Sequence, residues 1–385
     1  MASMSWSCAE EGSTVNSRCR TSGRYPDLMS WIHAAAFSAE PLYLNTASMG
    51  LPLRATSDAL TRELAGWSAG RRQANDYDGT VSRSRELYAE LVHVPASWVA
   101  IGNQVSPLVG LIAASVPDGA EVLFAANDFT SVSFPFAAHA DRGLRLREVP
   151  VHRIADEIGP DTAWVVVSAV QSATGAVADL DAIEAGAKKH GARTLIDLTQ
   201  AAGWLDIDAS RFDATVCAAY KWLLSPRGTA FLTLDPELHE SIRPLAANWY
   251  AGEDPWTSIY GLPLRLAADA RRFDVSPAWH AWVGTEASLE FLLDVGAPEL
   301  EAHALEVSAA FASAAGLPDA RSAILALTPV EGAAEEIRDT LARLDVMAAN
   351  RAGNLRLSFH VHNTAEEVAP LGEALRGLAH IVSGR

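Results

Sequence analysis

Residues 194–228 read TLIDLTQAAGWLDIDASRFDATVCAAYKWLLSPRG. Two short runs of β-branched and apolar residues stand out, ARTLID and FDATVCAAY, each with the length and composition of a buried strand. The first emerges into Asp197 and Gln200, and the second into Tyr220 and Lys221 about one βα unit later. In an open, mostly parallel sheet, strand ends of this kind share the carboxyl edge where such sheets bind ligands. The four side chains are therefore predicted to meet in one site.

Taken singly these residues say little, because an Asp at a strand end is usually a turn or cap and a Lys after a strand is usually solvated. In this order they point to pyridoxal phosphate chemistry. A lysine amine condenses with the cofactor aldehyde, and a carboxylate against the ring nitrogen keeps that nitrogen protonated, so the ring can accept electrons from the substrate's α-carbon. Lys221 and Asp197 are the predicted catalytic residues. Gln200 would donate to the ring's phenolic oxygen, and the Tyr220 hydroxyl to the phosphate.

The order D-x-x-Q, then Y-K-x-x-x-x-P-x-G, resembles the aminotransferase class V group of fold-type I pyridoxal phosphate enzymes. That group includes cysteine desulfurases, kynureninase, isopenicillin N epimerase and a C-S lyase of ergothioneine synthesis. The resemblance covers roughly residues 40–380. It implies an α/β fold, with a large domain built on a mostly parallel seven-stranded sheet and a smaller C-terminal α/β domain. It also implies an amino acid substrate and a homodimer with shared active sites. The expected division is a leader over 1–28, an N-terminal segment near the small domain over 29–60, the cofactor-binding domain over 61–270 and the small domain over 271–385.

Composition agrees with a soluble globular protein of one large and one small domain. The chain has 385 residues, 49% of them hydrophobic, and a net charge of −17. So acidic a chain, with no Lys/Arg block, is unsuited to a phosphate backbone or an anionic membrane. No apolar run reaches the roughly 18 residues a spanning helix needs, and no charged-then-apolar leader is present, so a cytoplasmic location is expected. Residues 1–28 are polar, lack apolar periodicity and read as a disordered leader, whereas MSWIHAAAF from Met29 looks like the start of a helix. Cys8, Cys19 and Cys217 make an odd set that implies no disulfide framework, and Cys217 sits inside an apolar strand as a core thiol.

Further site residues follow along the chain. LYLNTASMGLP, from Leu42, resembles the family's stretch that approaches the substrate, which makes Asn45 and Ala47 substrate-side candidates. In WVAIGNQVSPLVGLIAASV a strand to Ile101 runs into Ser106, a good N-cap, and Pro107, favoured at the first helical position. A helix is expected from Pro107, with amides around Val105 and Ser106 seating the phosphate. Phe129, after the strand EVLFA, is the candidate for stacking on the ring. Gln171, in a loop resembling V-Q-x-x-T-G of kynureninase, would face the phenolic oxygen or the substrate. FDVSPAW matches a family segment that enters the neighbouring subunit's site, so Ser276 is expected at the partner's phosphate.

In NLRLSFHVHNT, Leu355, Leu357, Phe359 and Val361 alternate with Arg356, Ser358, His360 and His362, which predicts one buried and one polar face. Arg356 through Val368 resembles the family motif R-x-S-x-x-x-x-N-T-x-E-E-V, whose Arg holds the substrate's α-carboxylate in a two-point fork. The loop before Arg356 carries no Cys, so cysteine desulfurase chemistry is not expected. The expected reaction is β-elimination from a cysteine S-conjugate. Transamination and epimerisation are the alternatives, because all three branch from the same deprotonated α-carbon.

Overall fold

The computed structural model describes residues 36–318 and 321–382. Cys8, Cys19, the leader and most of the helix expected from Met29 lie outside them. Seven strands form the main sheet: β1 (Val99–Gly102), β2 (Glu121–Ala125), β3 (Arg145–Val149), β4 (Thr162–Ser168), β5 (Arg193–Asp197), β6 (Ala214–Ala218) and β7 (Ala230–Leu234). Their spatial order is β1-β7-β6-β5-β4-β2-β3. Pairing is parallel from β6 through β5, β4 and β2 to β3, and only β7 runs against its neighbours.

Strands β4 to β7 are buried along almost their whole length, which is why they read as continuous apolar runs rather than alternating ones. Helices cover both faces. On one lie α1 (Arg54–Ser68), α2 (Asp78–Leu91) and the long α6 (Trp279–Val295), and α6 packs chiefly on α1 and α2. Against β6 and β7 lies α3 (Val105–Ser115), which also packs on α4 (Thr130–Ala137).

The start of α3 differs from the expectation. Gln104 is the N-cap residue, with extended φ and ψ, and the helix begins at Val105, so Ser106 and Pro107 are its second and third residues. Pro107 fits there because the first-turn amides have no intrahelical acceptor, and its missing N–H costs nothing.

A second sheet, β8 (Ile324–Pro329), β9 (Ala349–Arg351), β10 (Asn354–Ser358) and β11 (Ala379–Ile381), has the order β9-β10-β8-β11 and is antiparallel throughout. Two helices, α7 (Ala297–Ala315) and α9 (Ala365–Leu375), pack on each other over it. Because α6 belongs with α1 and α2, we propose that the small unit begins at Gly296, between α6 and α7, rather than at residue 271. The N-terminal segment crosses to the small unit. Leu42–Tyr43 pairs in parallel with Val346–Met347, and Asn45 bridges Ser358.

The expected polar face of β10 is not solvated. Arg356, Ser358, His360 and His362 are all buried, and the strand ends at Ser358 before the two histidines. The crossing segment 43–47 covers this face. Ser358 accepts from the Ala47 amide and donates to the Leu44 carbonyl, while Asn363 donates to the Tyr43 carbonyl. His360 donates from Nε2 to the carbonyl of Trp222, the residue after Lys221. Burial depresses its pKa to about 3, so it is a neutral bolt between the two units.

Candidate active site

The carboxyl ends of β4, β5 and β6 open on a cavity of about 370 Å³ lined by residues that include Asp197, Thr199, Gln200, Tyr220 and Lys221. Register explains the convergence. Ser168 pairs with Asp197 across β4 and β5, and Asp197 pairs with Val216 across β5 and β6, so the side chains leaving these strands emerge on one edge. Phe129, Val105, Gln104 and Asn103 line the same cavity from the ends of β1 and β2.

Asp197 is buried, and its Oδ1 accepts the Thr199 amide at 2.8 Å. Burial raises its pKa to about 6, against the hydrogen bonds from Thr199 and the charge of Lys221. Among the described residues it has no ion-pair partner. Lys221 is likewise buried, and burial lowers its pKa to about 8; Asp197 opposes the shift, while Arg356 and Arg351 add to it. Its Nζ lies 5.2 Å from the centroid of the Phe129 ring and 5.7 Å from that of Tyr220. A lysine lowered in this way gives up its proton far more readily than a solvated one, which makes it a better nucleophile and base.

Phe129, 47% exposed, projects from the N-terminus of α4. Asp128 holds it there, accepting the Phe129 amide at Oδ1 and the Ser168 amide at Oδ2, which ties the β2–α4 turn to the end of β4. Gln200 is oriented by Trp222. The indole can only donate, and it does so to Oε1 at 2.8 Å, so Nε2 must face Ala47 and Ser172. Nε2 donates to the Ala47 carbonyl and the Ser172 hydroxyl, both at 3.0 Å, and no amide hydrogen remains for a ring oxygen.

Gln171 does not line the cavity. Its Nε2 donates to the Ala126 carbonyl and its Oε1 accepts from Thr174, so it braces the loop, and its neighbour Ser172 faces the site instead. Ser172 is also where Arg356 arrives: Nη1 donates to its carbonyl and its hydroxyl, and Nη2 donates to Ser48. Ala47 contributes backbone only, and the buried Oδ1 of Asn45 has no hydrogen-bond partner among the described residues. Ser276 is exposed and outside this chain's own cavity. Sequence reasoning missed Ser172, Ser48 and Arg227. The first two are hydroxyls in turns, a composition common to most loops, and only the long reach of Arg356 from β10 marks them.

The residues present suit pyridoxal phosphate. A lysine of lowered pKa and a buried carboxylate without an ion-pair partner among the described residues line one cavity, whose rim carries the first-turn amides of α3 and an aromatic face. Lys221 would hold the aldehyde carbon, Asp197 the ring nitrogen, and Val105, Ser106 and Tyr220 the phosphate.

Comparison with known proteins gives the same answer. The profile of the family described as aminotransferase class-V matches residues 74–315. An uncharacterized aminotransferase of Bacillus subtilis, YcbU, is 27% identical over 304 residues, covering 74% of this chain and 80% of the relative. An isopenicillin N epimerase of Streptomyces clavuligerus is 27% identical over 339 residues, covering 77% of this chain and 84% of the relative. Among solved structures, the cystine C-S lyase C-DES in complex with cysteine persulfide superposes with a TM-score of 0.79 at 21% identity, over 92% of this chain and 100% of that one, which speaks for the fold. The seven-stranded sheet, the Asp197–Lys221 cavity and the matched profile together establish that this chain belongs to the aminotransferase class-V family of fold-type I, pyridoxal phosphate-dependent enzymes.

Proposed function

We propose that this enzyme is a lyase that expels the β-substituent of an amino acid, with a cysteine S-conjugate as the substrate class. The observation that carries the reading is the cavity lining, which contains neither His nor Cys and leaves Lys221 as its one amine base. The cofactor supplies an electron sink for the α-carbon. Arg356 takes the α-carboxylate, Lys221 removes the α-proton, and the Cβ–S bond breaks with its electron pair leaving on sulfur. Addition of water to the three-carbon remainder then gives pyruvate and ammonia. Elimination of this kind needs one base. Epimerisation by proton delivery to the opposite face calls for a second acid, and Phe129 offers none. Desulfuration needs an accessible thiol, whereas Cys217, the one cysteine among the described residues, is fully buried and burial raises its pKa far above the usual thiol value.

The test is a panel of cysteine conjugates and ordinary amino acids, assayed with and without a keto acid. Pyruvate and ammonia formed without keto acid support the lyase. Amino transfer that depends on keto acid would replace it with the aminotransferase reading, which the likeness to YcbU favours. We also propose a homodimer in which Ser276 serves the partner's site. Ser276 lies outside its own cavity, and the nearby segment exposes Tyr260, Leu262 and Leu264, at 91%, 92% and 61% of their full surface. Patches of that kind mark interfaces. A sedimentation coefficient of a monomer in the fully active enzyme would reject the dimer.

A further inference from the structure

We propose that Arg227 binds the phosphate of the cofactor and supplies most of the positive charge that neutralises it. The inference rests on the pyridoxal phosphate assignment. A phosphate monoester brings about −1.5 to −2 charges near neutral pH. The first turn of α3 offers roughly half a positive charge. The Tyr220 hydroxyl offers none. A cationic side chain would supply the remaining compensation, and the cavity lining contains two, Lys221 and Arg227. Lys221 is committed to the aldehyde. Arg356 is outside the cavity lining, its guanidinium held by Ser172 and Ser48.

Arg227 is built to present its edge. Its guanidinium carbon lies over the Tyr220 ring, 4.9 Å from the centroid. An arginine seated over an aromatic ring spends no conventional hydrogen bond there, and its N–H donors stay available for a two-point grip on phosphate oxygens. Among the described residues no carboxylate lies within ion-pair distance of Arg227, and none of its donors is spent on a protein acceptor. The backbone on either side is fixed. Pro226 packs against Gly284 of α6 so closely that a Cβ there would fall 2.5 Å from the proline ring. Gly228 follows with φ +119°, a conformation that side chains disfavour, and its open side faces Ala278 and Ala281. A residue clamped between a packed proline and an obligatory glycine holds its guanidinium at the cavity in the absence of ligand.

The experiment is a titration of apoenzyme with pyridoxal phosphate and with pyridoxal, which lacks the phosphate, followed by the absorbance of the lysine-bound cofactor. Arg227→Gln is expected to weaken pyridoxal phosphate binding at least tenfold while leaving pyridoxal affinity within about twofold, and Arg227→Lys to restore most of the loss, the pattern for a lost charge-assisted contact. Thermal melting of the apo variants guards against misfolding. Equal losses for both ligands, or no loss for either, would overturn the proposal. So would an unchanged cofactor affinity with a raised KM confined to substrates bearing a second anionic group, which would reassign Arg227 to the substrate. Failure of the wild-type protein to bind the cofactor at all would instead strike the assignment on which the proposal rests.

Discussion

Arg356 donates from Nη1 to the carbonyl and the hydroxyl of Ser172, at 2.7 and 2.9 Å, and from Nη2 to the Ser48 hydroxyl at 2.7 Å. Every partner is a neutral oxygen, although the residue is only 2% exposed. Burial lowers its pKa to about 10, with Arg351 adding to the shift. A buried guanidinium without a counter-charge is destabilising by itself, and its retention makes sense if a carboxylate arrives with the substrate.

Replacing Arg356 should therefore separate activity from stability. Arg356→Met is expected to lower kcat/KM by about 10²-fold or more, the loss of two charged hydrogen bonds at ~1.5–3 kcal/mol each. Its melting temperature should stay level or rise. A large fall in melting temperature would mean that the cation is structural.

Lys221→Ala should abolish the lysine-bound absorbance and reduce turnover by about 10²–10⁴-fold, the contribution of a positioned base. Cofactor could still occupy the cavity through its phosphate and ring contacts. Retention of the visible band in this variant would show that another amine holds the aldehyde.

The pH dependence of apoprotein stability has a defined sign. Burial lowers the Lys221 pKa from 10.5 in the unfolded chain to about 8. Between those values the unfolded state binds the extra proton, so stability should increase as pH rises from about 8 to 10.5. Asp197 works the other way in its own window. Its pKa rises from 3.8 to about 6, the folded state holds the extra proton there, and this contribution is lost as pH rises through that range. Melting curves of Lys221→Met and Asp197→Asn, each of which should lack its own component, check both signs.

Cys217→Ala should leave the β-elimination rate within about twofold and cost ~1 kcal/mol of stability for the small void created. The thiol has 0% exposure, lies in the main hydrophobic core, and its Sγ faces the Ala218 carbonyl 3.7 Å away. Persulfide on the wild-type protein after treatment with cysteine, absent from this variant, would show desulfurase chemistry instead.

Much of this enzyme was legible in its sequence because strand periodicity and motif order are local. Buried parallel strands need apolar runs, so β5 and β6 announced themselves, and with them Asp197 and Lys221 at the one edge where both could end. Arg356 was found through its motif, although its surroundings were misjudged. Alternation along β10 distinguishes two faces but cannot say whether another segment covers the polar one, and here residues 43–47 do so. Long-range contacts decided the rest. Gln200 points its amide at Ala47 and Ser172 because Trp222, 22 residues later, claims its oxygen. Gln171 turns away to Ala126, and Arg227 lies over Tyr220 next to a packed proline. Side-chain hydrogen bonds are set by which acceptors the fold brings within about 3 Å, and only the tertiary structure supplies that proximity.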